Sequence, residues 1–94
     1  MGSLHGMGPN EAYDAIRSAL ADTPGTRVLD CTYNDAMFGN FVIGFEEQGQ
    51  ARSVVNDRGE LAMCSDLAGT QHCRTIVPSI AAVDGRALVE ALAL

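Results

Sequence analysis

A chain of 94 residues with a formal charge of −6 is the size of one domain with one modest core. Its 47% hydrophobic and 19% charged residues suit a globular protein and argue against disorder. Lysine is absent and all six cationic side chains are arginine; an acidic surface repels phosphate backbones and anionic lipid, so neither nucleic-acid nor membrane binding is expected.

Residues 1–6, with Gly2-Ser3 after the start Met, read as a vector-derived leader, which leaves 7–94 as the single domain. They lack the basic-then-apolar pattern of a signal peptide. No apolar run approaches the ~20 residues of a membrane helix. The expected location is the cytoplasm.

Residues 10–22 are predicted to form a helix. Asn10 offers an N-cap oxygen and Glu11 suits the positive end of the dipole. Tyr13, Ile16 and Leu20, with Ala12 and Ala19 beside them, make one apolar stripe. Thr23-Pro24-Gly25 stops it. Residues 26–33 alternate as a strand, with Leu29, Cys31 and Tyr33 on one face. Residues 38–46 form the next, with Phe41, Ile43 and Phe45 on one face; Gly44 on the other marks a bulge or a close approach. Glu46-Glu47-Gln48-Gly49 and Asn56-Asp57-Arg58-Gly59 share one form, ten residues apart. Each suits a three-residue hairpin loop with a glycine bulge. Strands at 38–46, 50–56 and 60–65 follow as a meander. Residues 66–72 read as a polar loop, 73–77 as a further strand ended by Pro78, and Asp84 as the cap of a helix reaching about Leu92.

The order gives an α+β fold: an N-terminal helix, an antiparallel meander sheet of four to five strands, and a C-terminal helix packed on one sheet face. The other face is either wet or covered by a partner.

Cys31, Cys64 and Cys73 are an odd count, which argues against a disulfide framework and fits a reducing compartment. Cys64, His72 and Cys73, with Cys31 as a fourth, are the residues a zinc site would use. Cys64 and Cys73 can face each other across adjacent strands, but no Cys-x-x-Cys occurs, and adjacent His72 and Cys73 would point to opposite faces. Buried thiols and a loop histidine are the plainer account. A thiolate–imidazole pair meets the same objection. Glu46, Glu47, Asp35, Asp57 and Asp66 read as solvated turn acids. No phosphate-cradling glycine motif is present. No cofactor is expected.

Met37, Phe38, Phe41, Val42 and Phe45 concentrate apolar surface in one stretch, with Met63 on a nearby strand. A core strand rich in aromatics explains them most simply. If the free sheet face carries Val42, Val54 and Ala62, it is a surface for a partner to cover, with Phe38, Val42 and Val54 as its contacts. The leading expectation is a non-enzymatic interaction protein, an inhibitor or adaptor for a basic partner. A homodimer through the free face is the alternative. A small thiol- or zinc-dependent protein using Cys64, His72 and Cys73 comes third.

Overall fold

The computed structural model describes residues 7–37 and 39–93. Helix α1 (Pro9–Asp22) is followed by strands β1 (Thr26–Asn34), β2 (Asn40–Glu47), β3 (Gln50–Asp57), β4 (Glu60–Leu67) and β5 (Thr70–Val77), then helix α2 (Gly85–Ala91). Short 3-10 turns at Asp35–Met37 and Ile80–Ala82 join the ends. The five strands form one antiparallel sheet in chain order, so the α+β meander read from the sequence is the fold.

Helix α1 starts one residue earlier than its sequence suggests. Gly8 is the cap, Pro9 takes the first helical position, and the Gly8 N–H donates to Glu11 Oε1 at 2.9 Å. Proline's fixed φ suits that position and its missing N–H costs nothing there. Asn10 is thus an exposed helical residue and caps nothing. The apolar stripe is as read, with Ala12, Ile16 and Leu20 fully buried. Burial of side chains the size of Ile16 and Leu20 contributes roughly 1.5–3 kcal/mol each. At the other end Asp84 Oδ1 accepts from the Ala87 N–H at 2.9 Å, and the helix it caps buries Leu88. Both helices lie on one side of the sheet, over Phe41, Ile43, Phe45, Val54, Leu61 and Met63.

The hairpins differ from the expectation in one respect. Glu47 pairs with Gln50, Asp57 with Glu60 and Leu67 with Thr70, so each loop has two residues, not three. Both central residues have positive φ: Gln48-Gly49, Arg58-Gly59 and Ala68-Gly69. That is the turn whose twist matches the strands it joins. The third hairpin occupies the segment read as a polar loop at 66–72. Its strands β4 and β5 carry few apolar residues near the turn, so alternation gave no signal there.

Strand β1 also departs from simple alternation. Val28 pairs with Phe45 and Cys31 with Ile43, so Leu29 and Asp30 together oppose Gly44. The extra residue is a β-bulge. It reverses the phase: Val28, Cys31 and Tyr33 face the core while Leu29 is exposed. No helix among the described residues is long and apolar enough to cross a membrane.

Candidate interaction surface

The two helices cover one face of the sheet, and the ladder fixes which residues lie on the other. Side chains alternate between faces, and the core positions Phe41, Ile43, Val54, Leu61 and Met63 set the phase. Thr32, Val42, Val55, Ala62 and Thr75 therefore form one row across all five strands on the open face. Gly44, Ser53, Cys64 and Cys73 form the next row. The centre of this face is small and uncharged.

Charge lies at the strand ends. The open-face ladder positions hold Glu46, Asp57, Glu60 and Asp66 against one guanidinium, Arg27. Arg27 Nη2 lies 3.3 Å from Glu46 Oε1 in an exposed ion pair, which adds little stability. The other arginines are elsewhere. Arg17 lies over the Tyr13 ring on α1, Arg52 pairs with Glu47 at 2.7 Å on the helix side, Arg74 pairs in register with core residue Met63, Arg58 is in a turn and Arg86 is on α2. With four carboxylates to one guanidinium, the open face is acidic. Asp57 and Glu60 oppose each other directly across β3 and β4, an arrangement that costs stability. Glu60 Oε2 is held by the Thr75 hydroxyl at 2.7 Å.

The residues named from the sequence are divided by the fold. Val42 is on the open face and 42% exposed. Val54 is on the other side and fully buried, so its neighbour Val55 takes the place expected for it. Phe38 lies outside the described residues. Cys64 and Cys73 oppose each other, with Cα atoms 4.0 Å apart, and are joined by a disulfide. This corrects the reading of three separate thiols: Cys31 alone is free, and the cysteine count no longer argues for a reducing compartment. The disulfide lies on the open face. His72 pairs in register with Ser65 on the opposite face, and Cys31 packs against the core. The four proposed zinc ligands are thus split by the sheet, and two of the sulfurs are bonded to each other. Among the described residues no three His, Cys, Asp or Glu side chains are grouped to hold a metal ion.

A separate hollow of about 480 Å³ lies between Met7, Pro9, Arg58, Gly59 and Ile80. It is mostly apolar, and among the described residues it brings together no acid–base or nucleophilic pair. No family model, curated protein or solved structure matches the chain.

Proposed function

We propose that this protein is a non-enzymatic interaction module, an inhibitor or adaptor that uses the open sheet face to bind a basic protein. The acidity of the open face carries the reading: four carboxylates stand around a small uncharged centre, with one guanidinium among them. Such a face speeds encounter with a cationic surface and repels an anionic one. It also opposes the homodimer reading, because stacking this face on its own copy sets acid against acid.

The test is capture from the native host with the immobilised protein, beside a variant in which Asp57, Glu60 and Asp66 are changed to Arg. Basic proteins are expected to be retained at low salt by the natural chain, released as salt rises, and not retained by the variant. Recovery of nothing basic, or equal recovery by the variant, would overturn the proposal.

A further inference from the structure

The open face is furrowed. One depression of about 340 Å³ has Val55, Asp57, Glu60, Ala62 and Thr75 in its lining. A second, of about 310 Å³, has Thr32, Asn34, Asn40, Val42, Val55 and Asp57. They adjoin at Val55 and Asp57, and end to end they make a shallow trough that reaches all five strands.

Two unlike rows run along the trough, with the Cys64–Cys73 disulfide and Gln71 beyond the first of them over β4 and β5. One is the row Thr32, Val42, Val55, Ala62 and Thr75. The other runs through Asn34, Asn40, Asp57 and Glu60. Neighbouring strands lie about 4.8 Å apart, so five of them span roughly 19 Å. At 1.5 Å per residue that is the length of a helix of about 13 residues. The occupant must also satisfy its own backbone. Strands β2, β3 and β4 are paired on both edges, so the trough floor has no row of free N–H and C=O groups to offer an extended peptide. A helix brings its backbone already bonded and presents only side chains.

We infer that the trough seats a cationic amphipathic helix of the partner, lying across the strands. Its apolar stripe rests on Val42, Val55 and Ala62, and lysine or arginine along one edge of that stripe meets Asp57 and Glu60. The inference rests on the basic-partner reading above and specifies the part of the partner that docks.

The probe is a labelled synthetic peptide of about 15 residues built from Lys, Leu and Ala in amphipathic order, a length at which an isolated helix begins to hold. A peptide of the same composition in shuffled order is the control. Anisotropy measures affinity and amide shifts locate the site. The ordered peptide is expected to bind at least about tenfold more tightly than the shuffled one, with shifts at Val42, Val55, Ala62 and Thr75. Val55→Arg should abolish that binding, and Asp57→Asn with Glu60→Gln should weaken it about tenfold. Equal binding of the two peptides with shifts on the open face overturns the helix trough and leaves the basic-partner reading standing, whereas shifts on another surface overturn both. If neither peptide binds, both fail.

Discussion

Asn56 ties down Gly39: its side-chain N–H donates to the Gly39 carbonyl at 3.1 Å. Its Oδ1 accepts from the Gly59 N–H, also at 3.1 Å. Asn56 is only 1% exposed and stands in the core-side row with Phe41 and Leu61. One carboxamide therefore fixes both the entry to β2 and the β3–β4 turn, using a donor and an acceptor that no other side chain of its shape supplies. Asn56→Leu keeps the branched outline but is bulkier, and it leaves two backbone groups without this partner; the lost bonds alone should cost about 1–3 kcal/mol, with overpacking added to that. Asn56→Asp keeps the acceptor but sets a buried charge against a carbonyl, and should cost more at neutral pH. Acidification should narrow that gap, because a protonated carboxyl can donate. Urea denaturation at neutral and acidic pH measures it; equal losses at both pH values would contradict the assignment.

Two glycines with similar backbone allow a controlled comparison. Gly39 and Gly49 have φ of 70° and 82°. A Cβ on Gly39 would stand 2.5 Å from the Pro9 ring, whereas one on Gly49 would meet nothing within 4 Å. Gly49→Ala should cost only the backbone term, about 1–2 kcal/mol. Gly39→Ala should add a steric term of similar or greater size, as the Pro9 ring is forced off β2. Thermal denaturation of the two variants tests the difference. Equal midpoints would show that the Pro9 contact yields freely.

Ala68 is exposed, with φ of 55°, at the first central position of the third hairpin turn. Alanine gains nothing from the left-handed region, whereas Asn-Gly is the favoured pair for such turns. Ala68→Asn should raise stability by about 0.5–1 kcal/mol without altering the sheet. A fall in the denaturation midpoint would count against the two-residue turn.

The elements with strong periodicity or capping were legible in the chain. The Ala12, Ile16 and Leu20 stripe, the Asp84 cap and the glycines at 49 and 59 gave both helices and most of the meander. Gly44 was legible as a bulge or close approach: a Cβ there would stand 3.2 Å from the Asp30 carbonyl. Which partner strand bulged was not, and that misplaced Leu29. Val54 and Val55 are adjacent and chemically identical, so composition alone could not decide which faces the core. The ten-residue register that places Val54 beside Ile43 and Met63 decides it. The third hairpin was hidden because β5 is an edge strand, exposed over most of its length, and needs no apolar alternation. The disulfide depended on the register of that hairpin.

Alkylation under denaturing, non-reducing conditions should modify one cysteine, Cys31, and leave Cys64 and Cys73 untouched until a dithiol is added. Mass spectrometry reads the number of adducts directly; three without reduction would show that the bond does not form. The bond closes a loop with a sequence separation of only 9, so replacing both cysteines with serine should cost about 2–3 kcal/mol, within the range for short loops. The β4–β5 ladder should survive the change, since six paired positions besides Cys64–Cys73 hold it.

Alkaline pH should weaken the fold through Tyr13. Its ring packs 5.1 Å from Tyr33 and 5.2 Å from Phe41, between α1 and the sheet. Burial pushes the phenol above its ordinary value, and the neighbouring Cys31 adds to this while Arg17 opposes it. In the unfolded chain the phenol returns to about 10. As pH climbs past that value, the unfolded state gives up its proton first and so binds fewer protons than the native state. Stability then falls with rising pH. The contribution of the neutral phenol is complete below about pH 10 and is lost as pH passes through the higher folded value. Tyr13→Phe keeps the ring and removes the proton, so its urea midpoint should decline less steeply than that of the natural chain between about pH 9 and 11. Parallel declines would mean that the Tyr13 hydroxyl is solvated as fully in the folded protein as in the unfolded chain.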